Sequence, residues 1–68
     1  MEIFDDIGLV AGTIWQYLDQ HGDTNTIQIK VDLGYSNTQI FLGLGWLLRE
    51  DKIQLTRQNN ITQVKLIK

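Results

Sequence analysis

Apolar side chains recur at Ile7, Val10, Ala11, Ile14, Trp15 and Leu18. The spacing i, i+3, i+4, i+7, i+8, i+11 marks one face of a helix. Asp5 and Asp6 precede the run, where carboxylates meet the positive end of a helix dipole, and Gly22 follows His21 as a left-handed stop. The pattern predicts a helix over about 6–21.

The next stretch carries two periods at once. Ile27, Ile29, Val31 and Leu33 alternate as a strand would. Asn25 followed three residues later by Gln28 has capping-box spacing, however, and Ile29 and Leu33 form an i, i+4 pair. The expectation is a very short extended piece near Thr24, then a short helix over about 26–33 ended by Gly34. Ser36 with Gln39 repeats the capping box and opens a third helix over about 37–50. Within it Ile40, Phe41, Leu44, Leu47 and Leu48 share one arc, with Leu42 and Trp46 roughly opposite. Gly43 and Gly45 each cost about 1 kcal/mol mid-helix, a loss that close packing of a backbone or ring would offset.

The period then falls to two. Ile53 and Leu55 alternate with Gln54 and Thr56, and Val64 and Leu66 with Gln63 and Lys65, around the turn-forming Gln58-Asn59-Asn60. This predicts a β-hairpin over about 53–57 and 61–67. The expected core comprises Trp15, Leu18, Ile29, Leu33, Ile40, Leu44, Leu47 and Val64, with Trp46 buried against the hairpin or the first helix.

Helix, short helix, tight turn, longer helix and hairpin is the order of a winged helix-turn-helix, an α+β fold, here expected as a single domain over residues 1–68. The chain resembles a family of stand-alone bacterial and archaeal winged-helix proteins of unassigned function. The matching residues are Gly12, Ile14, Trp15 and Leu18, then Leu42-Gly43-Leu44-Gly45-Trp46-Leu47 and Arg49-Glu50-Asp51-Lys52-Ile53. The resemblance covers roughly residues 7–66, departs from the family in a second helix poorer in charge, and implies a fold but no activity.

Composition narrows the function classes. Only 68 residues are present, 43% hydrophobic and 21% charged, an ordinary globular balance. A core this small contributes roughly 3–5 kcal/mol net, so self-association is an open route to further burial. With no cysteine, disulfides and thiolate metal sites are excluded, and no cofactor or metal is expected. No apolar run is long enough to span a membrane and no signal peptide precedes the first helix, so a cytoplasmic protein is expected. The net charge of −2 conceals an asymmetry. Residues 1–51 hold all eight acids and only Lys30 and Arg49 as bases, whereas 52–68 hold Lys52, Arg57, Lys65 and Lys68 and no acid.

Enzymatic chemistry is not expected. Ser36 is the only serine and His21 the only histidine, and no Ser-His-Asp or Cys-His unit is expected within one chain. His21 is expected at a helix C-terminus, and Asp5, Asp6, Glu50 and Asp51 read first as helix-end carboxylates. A core this thin is not expected to hold a small-molecule pocket. Two binding readings remain: a DNA-binding or transcription-associated module using helix three and the basic wing, and, as its alternative, a protein-interaction or dimerisation module that does not bind DNA. For double-stranded DNA, Ser36, Asn37, Thr38 and Gln39 would open the recognition helix, with Lys52, Arg57 and Lys65 on the wing meeting phosphates. Against this, Ser36 and Gln39 could simply cap a helix, and the lysines keep an edge strand soluble. For a protein partner or a homodimer, Leu42, Gly45, Trp46 and Arg49 would form a packing surface on the third helix.

Overall fold

A computed structural model describes the backbone of residues 3–67 and the side chains of residues 7–67. The expected roles of the Asp5 and Asp6 side chains and of Lys68 lie outside the described residues. The chain forms α1 (Ile3–His21), β1 (Thr24–Asn25), α2 (Thr26–Leu33), α3 (Asn37–Arg49), β2 (Ile53–Gln58) and β3 (Ile61–Leu66). The family order expected from the sequence is present: three helices, then a hairpin wing. α1 begins at Ile3 rather than near residue 6, so Asp5 and Asp6 belong to its first turn.

The boundaries follow the local chemistry. Gly22 and Gly34 both take left-handed backbone, with φ of 83° and 72°, and end α1 and α2. The Asn25 side chain accepts a hydrogen bond from the Gln28 backbone N–H at 2.8 Å and opens α2. At α3 the capping box is reciprocal. Ser36 Oγ accepts from Gln39 N at 3.2 Å, while Ser36 N donates to Gln39 Oε1 at 3.0 Å. In the wing Gln58 pairs with Ile61, leaving Asn59 and Asn60 as a two-residue turn at φ 54° and 65°. Positive φ at both central residues is what the right-handed twist of a tight hairpin demands, and asparagine tolerates it.

The sheet differs from a bare hairpin. β1 pairs antiparallel with β3, Thr24 opposite Val64 and Asn25 opposite Gln63, giving the strand order β1-β3-β2. β3 is therefore central and covered on that side at Gln63 and Val64, and β1 and β2 are the edge strands. Asn25 belongs to β1 and at the same time caps α2.

Ile7, Val10, Ala11, Ile14, Tyr17 and Leu18 of α1, Ile29 of α2, Ile40, Leu44 and Leu47 of α3, and Ile53 and Val64 of the sheet are buried. α1 packs most extensively on α3. Gly43 makes this possible: a Cβ there would lie 2.9 Å from Val10 Cγ1 and 3.0 Å from Ile14 Cδ1.

Three expectations about the core need correction. Trp15 is 36% exposed, because it stands at the margin of the α1 apolar arc, where α3 covers it only in part. Trp46 is 42% exposed, since α3 turns its Ile40, Gly43, Leu44 and Leu47 face inward and carries Trp46 to the side. Phe41 and Leu48, on the opposite flank of the same arc, are exposed as well. Leu33 is only partly buried and packs against the core edge. Tyr17, which no sequence pattern singled out, is buried through a bond described below.

Candidate nucleic-acid and protein interfaces

The turn between α2 and α3 presents the start of α3 to solvent. Its first residues divide by task. Ser36 and Gln39 spend their capping atoms on each other, whereas Asn37 and Thr38 are exposed side chains outside that box. Of the four residues expected at a DNA groove, two are engaged in capping the helix start and two face outward. Lys30 adds an exposed cation in the last turn of α2, beside a depression that includes Asn37.

The wing does not gather its cations. Ile53, Leu55 and Arg57 lie opposite Leu66, Val64 and Thr62, and strand alternation puts these pairs on the core-facing side of the ribbon. Lys65 lies opposite Gln54, on the other side. Arg57 and Lys65 thus project from opposite faces, with Arg57 next to the turn. Lys52 precedes β2, five residues from Arg57, or roughly 17 Å along an extended strand. Its ammonium sits 5.6 Å from the centre of the Trp15 ring, drawn back toward α1 by the ring's negative face.

Between its first and last turns the outward side of α3 is apolar. Leu42, Gly45, Trp46 and Arg49 fall within about 100° of one another on the helical wheel. Leu42 is 37% exposed, and the space around Gly45 is open. Arg49 in the last turn is the one cation among them and also suits the negative end of the helix dipole.

Between α1 and α2 lies a polar cluster that the sequence did not disclose. The Tyr17 hydroxyl donates to Asp32 Oδ2, and Gln28 Nε2 donates to Asp32 Oδ1 at 2.9 Å. His21 stacks on Tyr17 with ring centres 4.2 Å apart, and its Nδ1 lies 3.0 Å from the Tyr17 carbonyl oxygen. The bond to Asp32 holds the Tyr17 phenol above its ordinary pKa of 10.0, with burial and the Asp32 charge adding to it and Thr24 opposing. A raised pKa keeps the phenol protonated, the form that is a weak nucleophile. The cluster therefore reads as a latch fastening the end of α1 to α2. Its single histidine sits at a helix C-terminus, as expected from the sequence. Among the described residues no group of three or more His, Cys, Asp or Glu side chains is placed to hold a metal ion. No helix among them is long and apolar enough to cross a membrane.

Sequence reasoning missed the part of α1 that borders α3. Gly8 and Gly12, with Trp15, Trp46, Glu50 and Lys52, line a groove of about 450 Å³. The available signal was a pair of mid-helix glycines four residues apart. A family model described as winged helix-turn-helix domain (DUF2582) matches residues 1–66. No curated protein matches the chain.

Proposed function

The chain belongs to this winged helix-turn-helix family, and we propose that it is a non-enzymatic binding module whose α3 face meets a protein partner. The observation that carries the reading is the outward side of α3, where Leu42 and Trp46 stand half-exposed around Gly45. A base-reading helix needs donors and acceptors at these positions, and phosphate contact needs clustered cations. Here Leu42 and Gly45 offer none, and Lys52, Arg57 and Lys65 point three ways. Aromatic side chains with one arginine and little other charge are the composition of a protein-contact core.

Double-stranded DNA is the second reading. It is favoured by the exposed Asn37 and Thr38 at the start of α3, together with Arg57 beside the wing turn. Ser36 and Gln39 would then hold the helix start in place, and Lys52 and Lys65 would lie at the periphery. One titration separates the two readings. Random duplex at about 50 mM salt, where phosphate contacts are strong, should leave the protein free. Saturable binding that weakens steeply with salt and is lost in Arg57→Ala would overturn the protein-contact reading in favour of DNA.

A further inference from the structure

The groove between α1 and α3 continues the apolar side of α3 through Trp46 and extends it onto α1. A Cβ added at Gly8 or Gly12 would meet nothing within 4 Å, so packing within the chain requires neither glycine. Gly43, by contrast, lies against Val10 and Ile14. Glycine inside a helix weakens it relative to alanine, and what its missing Cβ permits is close approach of another backbone. At Gly43 that backbone belongs to this chain. At Gly8 and Gly12 the described residues supply none.

We propose that the groove is occupied by the same groove of a second copy, forming a two-fold dimer in which α1 crosses its symmetry mate at Gly8 and Gly12. This rests on the protein-contact reading of α3 and names the partner. A two-fold interface must be self-complementary, with residue i meeting j while j meets i. The groove has both halves of such a match: two half-exposed tryptophan rings and two open glycine positions on one surface.

Its charged rim has the same property. Glu50 is the C-cap of α3, where the helix dipole disfavours a carboxylate, and Lys52 lies two residues beyond. Across a two-fold axis Glu50 of one copy meets Lys52 of the other, twice. A rim of a single sign would instead repel itself.

The area is within reach. A stable interface takes about 800 Å² per partner, from a total accessible surface of 4744 Å². At 36% and 42% exposure, and roughly 250 Å² for a whole ring, Trp15 and Trp46 alone supply roughly 200 Å². Leu42 and the open helix backbone at Gly8 and Gly12 extend the same surface.

The test is sedimentation equilibrium of the full chain from about 10 µM to about 1 mM, spanning weak to moderate association. Tryptophan emission is followed in parallel, since Trp15 and Trp46 are the only two tryptophans. The expected mass rises from 7.8 kDa to twice that, with a blue shift as both rings leave water. Gly12→Gln has open space to occupy and gains helix propensity, so it should hold or raise the melting temperature of the dilute protein while weakening the dimer about tenfold or more. Glu50→Lys and Lys52→Glu should each weaken the dimer, and the double variant should recover it, as crossed pairing requires. A monomer at about 1 mM overturns the second copy as partner; the protein-contact reading fails separately, through the DNA titration. A dimer that forms without a blue shift, or whose affinity is unmoved by Gly12→Gln, places its interface elsewhere and also overturns the proposal.

Discussion

Alanine substitution at glycines of a single helix should change stability in opposite directions. In α3, Gly43 and Gly45 sit two residues apart and share the same helical backbone, so replacing either with alanine gains about 1 kcal/mol of helix propensity. Their surroundings differ. The new methyl at Gly45 enters open space, whereas at Gly43 it lies 2.9 Å from Val10 Cγ1 and 3.0 Å from Ile14 Cδ1. The Ile14 methyl is the far end of its side chain and can rotate aside. Val10 is branched at Cβ and restricted in a helix to essentially one rotamer, so α1 must shift instead. Overpacking of this kind costs about 1–3 kcal/mol, leaving Gly43→Ala destabilised by about 1 kcal/mol after the propensity gain. In a domain of this size 1 kcal/mol moves the melting temperature by about 4–8 °C. Thermal unfolding followed by far-ultraviolet circular dichroism should therefore place Gly45→Ala above the parent and Gly43→Ala below it. Dilute protein keeps association out of the comparison. If Gly43→Ala melts as high as Gly45→Ala, the close contact between α1 and α3 is not as described.

Two further outcomes test other joints of the fold. Leu44 is fully buried at the centre of α3, so Leu44→Ala should cost about 2–5 kcal/mol and lose most of the folded signal at 25 °C, near the temperature to which that magnitude applies; a cooperative melt at the parental temperature would contradict its placement. The Tyr17–Asp32 latch predicts a pH dependence. The folded phenol has a raised pKa, so the folded chain keeps a proton that the unfolded chain loses above about pH 10. That stabilisation is fully present below the unfolded value and declines as pH rises through the folded one. Urea unfolding at about pH 9 and about pH 11 should show the parent losing more stability than Tyr17→Phe, and equal losses would remove the latch from the account.

Periodicity carried most of the helix and strand assignments because each long element repeats its apolar positions several times. The caps at Asn25 and Ser36 were legible for a different reason: each is a local exchange between residues three apart. What the pattern could not reveal is which flank of an apolar arc a neighbour covers. Trp15 and Trp46 stand at the flanks of their arcs, and α1 and α3 meet between Gly43 and Val10, leaving both rings at the groove. Tyr17 is held by an acceptor fifteen residues away on another helix, a distance no local period spans. β1 has two residues and therefore no period at all. The division of Arg57 from Lys65 was within reach of the sequence. A two-residue turn at Asn59 and Asn60 fixes the register, and alternation then sends the two side chains to opposite faces.

Asn25 has a consequence for how the protein opens. Its backbone is part of the sheet through Gln63, and its side chain holds the first turn of α2. α2 has eight residues, too few to persist alone in water. When β3 separates from β1, α2 loses the backbone position that aims its cap. The shortest helix and the last strand therefore form one cooperative unit, and amide protons in both should exchange through the same opening. A wing in this architecture cannot swing free as a loose appendage, because any event that displaces β3 is transmitted to the helix leading into the turn before α3.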